Sequence, residues 1–166
     1  MIETEAQLLA FLEEHKIHYQ RMEHPPVYTC EQAEQFLQSG MTGVSTKNLF
    51  LSDKAGGFYL VMTGCEKRLA LKRLGRQLGT SRLHFACEDK LRKLLGVTTG
   101  AVSVLGLIND RDHQVNLLVD EQIWAGEAYL CHPLVNTATL LLSKGDLQKF
   151  FELSGHAVRV VPMPAS

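Results

Sequence analysis

Two strand-like segments, 48–52 and 58–63, are separated by only five residues, Asp53, Lys54, Ala55, Gly56 and Gly57. Glycines at that point supply the positive-φ positions of a hairpin loop, so the two segments pair antiparallel. The pair constrains the rest of the chain. Further strand candidates at 101–108, 114–119 and 128–132, with turn residues Asn109, Asp110 and Asp112 between the first two, follow one another without βαβ alternation. An α+β fold is therefore predicted, with a mixed or mostly antiparallel sheet surrounded by short helices. Neither G-x-G-x-x-G nor G-x-x-x-x-G-K-[ST] occurs between a strand and a helix, which disfavours a dinucleotide or P-loop site.

The remaining elements follow from capping and periodicity. Thr4 with Gln7 has the spacing of a capping box and opens a helix ending near His15, with Leu8, Leu9, Phe11 and Leu12 on its apolar face. Segment 17–22 alternates like a half-buried strand until His24, Pro25 and Pro26 stop it. Thr29 and Gln32 repeat the capping spacing and predict a helix to Gly40. Helices are expected over 69–78 and 88–95, closed by Gly79 and Gly96, and from Ser143 to Leu153, with strands at 82–85, 137–142 and 158–161.

A length of 166 residues suits one domain, 1–166, with no repeat or linker to mark a second. No apolar run approaches the ~20 residues of a membrane span, and the acidic start lacks a basic signal region, so a cytoplasmic address is expected. Cys30, Cys65, Cys87 and Cys131 are far apart with no C-x-x-C pair, and reduced, mostly buried thiols are expected. The seven histidines form no ligand-spaced pair, so neither a metal nor a cofactor is expected. A formal net charge of -1 argues against a generally basic nucleic-acid protein. The charge is nonetheless segregated: 67–93 holds nine basic residues against two acidic ones. Lys67, Arg68, Lys72, Arg73 and Arg76 are candidate phosphate ligands, against a solvated helix face as the alternative.

Four segments carry candidate chemistry: 46–51 (TKNLFL), 96–106 (GVTTGAVSVLG), 106–110 (GLIND) and 132–137 (HPLVNT). Lys47, just ahead of an apolar strand, reaches a phosphate or points into water. His132, before Pro133, faces a pocket or fills a structural place. The loop at Thr99 and Gly100 exposes peptide N–H groups or is a plain turn. Asn136, Thr137 and Thr139 hold a ribose or an α-amine, or form the polar face of a strand.

In this order, together with His24-Pro25-Pro26-Val27-Tyr28-Thr29, the RLHFA strand and CHPLVNTAT, the segments resemble the free-standing prolyl-tRNA editing proteins. These are deacylases related to the insertion domain of bacterial prolyl-tRNA synthetase and to the YbaK family. The resemblance covers nearly the whole chain, and TKNLFL followed by HPLVN is similar to the branch that clears alanine from proline tRNA. It implies a curved mixed sheet around a pocket, proline tRNA mischarged with alanine as substrate, and prolyl-tRNA synthetase as a candidate partner. It further implies that Lys47 engages the 3′-terminal adenosine region, that His132 lines the amino-acid pocket, and that Gly100 opens the loop matching a G-x-x-x-P motif. Val104 stands where that motif has proline.

The expected catalytic set is Lys47, Gly100, Ala101 and His132, with Thr29, Asn48, Thr99, Val102, Leu134, Asn136 and Thr137 around the substrate. An aminoacyl ester is already activated, so a positioned water and N–H donors for the oxyanion suffice, and no G-x-S-x-G elbow is needed. A pocket fitted to alanine excludes proline, which a synthetic site built for proline cannot do in reverse. The alternatives are the same fold acting on cysteine, serine or threonine esters, a non-catalytic nucleic-acid-binding module and, third, a metal hydrolase.

Overall fold

A computed structural model describes residues 1–37 and 40–166. Eight strands form one sheet: β1 (Gln20–Glu23), β2 (Val44–Ser52), β3 (Phe58–Gly64), β4 (His84–Phe85), β5 (Val115–Asp120), β6 (Ala128–Cys131), β7 (Ala138–Ser143) and β8 (Arg159–Val161). Their order is β1-β7-β6-β2-β3-β5-β8, with β4 beside β2. Around them lie α1 (Glu5–Glu14), α2 (Cys30–Glu34), α3 (Leu71–Leu78), α4 (Glu88–Leu95), α5 (Glu121–Trp124) and α6 (Lys144–Ser154). The sheet is mixed and mostly antiparallel: β1–β7, β2–β3, β2–β4 and β6–β7 run antiparallel, while β2–β6, β3–β5 and β5–β8 run parallel. This is the α+β architecture expected.

The central hairpin forms as its turn chemistry requires. Gly56 adopts φ +88, and the Asp53 carboxylate accepts the Gly57 N–H at 2.7 Å. Strand β2 begins earlier than expected, at Val44, so Lys47 and Asn48 lie within it. Its two faces serve different cores. Phe50 joins the main core with Leu60, Leu105, Tyr129 and Phe150, while Leu49 and Leu51 join a second cluster beneath α3 with Leu74, Leu118 and Val161. Side chains alternate along a strand, so Lys47 shares the α3 face and Asn48 the main-core face.

Three expectations need correction. Segment 101–108 is not a strand but two 310 turns, Thr99–Ala101 and Val104–Asn109. A short apolar run reads alike as strand or buried helix, and here Val104, Leu105, Gly106 and Leu107 are all buried. Gly106 packs so closely on α4 that a Cβ would meet the Leu95 carbonyl oxygen at 2.8 Å. The helix after Thr29 stops at Glu34 without a buried residue, and 38 and 39 lie outside the described residues. Finally, Cys30 and Cys65 form a disulfide, leaving Cys87 exposed and Cys131 buried as thiols. Their Cα atoms are 5.6 Å apart across 35 residues of sequence, a proximity that only the tertiary fold creates. Among the described residues no helix is long and apolar enough to cross a membrane.

Candidate active site

Strands β2 and β6 pair in parallel only at Val44–Tyr129 and Ser45–Leu130, and then part. Ligand crevices form where parallel strands separate at their carboxyl ends. Here a cavity of about 170 Å³ opens there, walled by β2, the end of β6, the 99–102 turn and the start of α2. Of the residues singled out in the sequence, Thr29, Lys47, Asn48, Thr99, Gly100, Val102 and His132 line it. Thr139, named there as well, and Tyr28 also line it. Nothing in the sequence marked Tyr28 as a site residue, although it lies in the HPPVYT segment, and the residue is 75% exposed.

His132 follows β6, and its Nδ1 lies 3.1 Å from the Ala138 carbonyl oxygen. A carbonyl only accepts, so Nδ1 carries the proton and Nε2 is left with its lone pair. Burial lowers the His132 pKa, outweighing the opposing Ala138 hydrogen bond, and the nearby His24 lowers it further. The ring is thus a neutral acceptor at pH 7. Behind it, His24 Nδ1 donates to the Pro25 carbonyl, and its Nε2 meets Thr139 Oγ1 at 2.8 Å.

Lys47 has its pKa lowered by burial, and it makes none of the ion pairs found among the described residues. Its ammonium is therefore partly desolvated without a carboxylate partner. In the 99–101 turn, Ala101 N–H donates to the Thr98 carbonyl at 3.0 Å. The N–H groups of Thr99 and Gly100 open the turn, where no partner within it exists.

Several of the expected ligand-facing groups do other work. Ala101 is buried with its N–H already used, so it offers no oxyanion donor. Asn136 Nδ2 donates to the Val27 carbonyl while Val27 N–H donates to the Asn136 carbonyl. With the Thr137 carbonyl accepting from His24 N–H, these bonds latch the 132–137 loop to 24–27 rather than face a ligand. Leu134 takes φ 67 and packs in the main core. Lys67 is turned inward, its ammonium 2.8 Å from Asp120 and 3.0 Å from the Met163 carbonyl oxygen. Its charge is spent inside the fold instead of on a phosphate. Arg68, Lys72, Arg73 and Arg76 remain exposed, the last three on α3. On α4, Arg92 and Lys93 pair with Glu88 and Asp89 one turn away. Among the described residues no group of three or more His, Cys, Asp or Glu is placed to hold a metal ion.

Fold and site together define an α+β protein with a half-open pocket of mixed polarity, carrying one neutral acceptor, one desolvated cation and free peptide N–H groups. Comparison with known proteins makes that class specific. Residues 24–150 match the model of the aminoacyl-tRNA editing domain. The chain is 36% identical over 157 residues to the prolyl-tRNA editing protein ProX of Acetoanaerobium sticklandii, covering 94% of this chain and 95% of that one. It is 35% identical over 157 residues to the prolyl-tRNA synthetase associated domain-containing protein 1 of Danio rerio, covering 93% and 85%. A crystal structure described as a candidate trans-editing enzyme for prolyl-tRNA synthetase superposes with a TM-score of 0.71 at 19% identity over 100% of both chains. The chain belongs to the aminoacyl-tRNA editing domain family, and its class of activity is aminoacyl-tRNA deacylation.

Proposed function

We propose that this chain, as one editing domain over 1–166, hydrolyses alanyl-tRNA(Pro) in trans, clearing alanine and sparing proline. The observation that carries the reading is the pairing of opposite demands in one cavity. A neutral His132 Nε2 suits the α-ammonium of an amino acid, while Lys47, on the sheet face covered by basic α3, suits the phosphate-bearing end of a nucleic acid. An aminoacyl-tRNA 3′ end presents both groups. The relatives named for prolyl-tRNA editing support the choice of tRNA.

In this mechanism Lys47 anchors the 3′-terminal adenosine region. Thr99 and Gly100 N–H groups polarise the acyl carbonyl, and a water attacks with help from the neighbouring ribose hydroxyl. Val102 and His132 bound the side-chain pocket in this reading, which takes a methyl group and rejects a pyrrolidine ring. A missing methylene alone discriminates by only about 1–3 kcal/mol, so the sieve works by excluding the larger substrate. Delivery by prolyl-tRNA synthetase and a cytoplasmic site of action are part of this reading.

The test is deacylation of alanyl-tRNA(Pro) and prolyl-tRNA(Pro) by the wild type and Lys47→Ala. Alanine release that the substitution largely abolishes is expected. Equal turnover of both esters would refute the size sieve, and unchanged turnover by Lys47→Ala would refute the anchor. A panel of cysteinyl, seryl and threonyl esters decides among the other amino acids.

A further inference from the structure

Asn48 carries a polar group that the fold leaves unused. Its Oδ1 accepts the Val104 N–H at 3.0 Å. A peptide N–H only donates, so this hydrogen bond decides which end of the side-chain amide is oxygen and which is NH2. The Nδ2 atom is buried and meets no acceptor among the described residues. Native folds keep few such donors, because each loses its water without replacement. Asn48 is one of the residues that line this cavity, so an acceptor on a ligand seated there is within the reach of its side chain.

We propose that Asn48 is a catalytic residue whose Nδ2–H donates to the acyl oxygen of the aminoacyl ester. The inference rests on the deacylase reading above. Of the substrate's polar parts, the ammonium needs an acceptor and the phosphate-bearing end needs a cation. The neutral acyl oxygen is the part that suits a neutral, desolvated donor. As the water oxygen bonds to the acyl carbon, the carbonyl π pair moves onto the acyl oxygen, and the hydrogen bond that this oxygen accepts from Asn48 strengthens. Collapse restores the carbonyl and breaks the bond to the ribose oxygen, which takes the proton lost by water. Free amino acid and uncharged tRNA result. The Val104 N–H holds the amide in place beforehand, so no reorganisation is needed during reaction.

Asn48→Asp tests this directly, since it keeps Oδ1 for Val104 and nearly the same size but has no Nδ2–H. The expected result is a fall in kcat of about 10²-fold or more on alanyl-tRNA(Pro), with KM little changed and the melting temperature retained. Turnover equal to wild type, or a change confined to KM, overturns the role. A second readout uses the intact wild-type protein and a stable amide analogue, 3′-alanylamido-3′-deoxyadenosine. The Asn48 side-chain NH2 signals, assigned by their loss in Asn48→Asp, shift on binding, and unmoved signals at saturation overturn the proposal. Failure of Asn48 alone leaves the wild type active on alanyl-tRNA(Pro). A wild type inert on alanyl, cysteinyl, seryl and threonyl esters refutes the deacylase reading and this role with it.

Discussion

Glycine at position 100 is not demanded by packing. A Cβ there would meet Asn136 Nδ2 at 3.6 Å and the Tyr28 ring at 3.9 Å, both ordinary van der Waals distances. Its φ is also outside the range that disfavours side chains. Gly100→Ala should therefore keep or slightly raise the melting temperature, as glycine replacement at a compatible site adds about 0.4–1 kcal/mol. The new methyl stands at the cavity wall, so kcat/KM for alanyl-tRNA(Pro) should fall by about tenfold or more, as expected where positioning is disturbed. A stability loss equal to the activity loss would show that the glycine serves the fold. The titrating groups allow a second measurement. His132 must keep Nε2 unprotonated, and burial holds its pKa below the ordinary 6.5, so the acid limb of kcat/KM should lie below that value. Lys47 must stay charged, and burial lowers it from 10.5, so the alkaline limb should begin below that value. Limbs at or outside these ordinary values would separate the two residues from the reaction. Lys47, Gly100 and His132 are legible from short motifs because each meets the cavity with its own side chain or peptide group. Asn136 and Thr137 are not, because their hydrogen bonds are made to backbone partners that only folding brings near, and Ala101 is not, because its N–H closes the local turn on Thr98.

Strand β2 and the short helix α2 show how an element's setting changes its meaning. The TKNLFL segment reads as a strand with a lysine ahead of it, but β2 reaches back to Val44, and its alternation sends Lys47 and Asn48 to opposite faces. Both still reach the cavity because β6 has left the side of β2 by then. Helix α2 buries no residue of its own, and the Cys30–Cys65 disulfide ties it to the chain just beyond β3. Closing a loop of 35 residues contributes up to about 4 kcal/mol by chain entropy. A dithiol reductant should therefore lower the melting temperature, and KM should rise as this cavity wall loosens. Thiol titration of the unfolded protein should give two free cysteines before reduction and four after. Four before reduction would remove the tether. The sequence hid the bridge because the two cysteines have no motif spacing, and it hid the 104–109 turn because the unbroken burial of Val104 to Leu107 erases periodicity.

Across the whole molecule, the basic stretch 67–93 divides into parts with different fates. Lys67 balances Asp120 in the interior, Arg92 and Lys93 balance acids on α4, and Lys72, Arg73 and Arg76 stay exposed on α3. Helix α3 packs on the sheet face that also presents Lys47, and its exposed basic residues are the candidate contacts for tRNA phosphates. Reversing charge at Arg73 and Arg76 should weaken tRNA binding and flatten its salt dependence. The slope of log K against log salt should fall by about one for each phosphate that is no longer neutralised. Unchanged affinity and slope would assign α3 to solvent alone. Local sequence determined the central hairpin, the helix N-caps, the glycine stops after α3 and α4, and the motif residues, since turn geometry, capping and alternation act over a few neighbouring positions. Tertiary structure alone decided which charges remain free, which cysteines join, where β2 and β6 part, and that the amide nitrogen of Asn48 is left without a partner among the described residues. Those outcomes depend on the meeting of residues tens of positions apart, and burial settles whether a polar group is paired or left for a ligand.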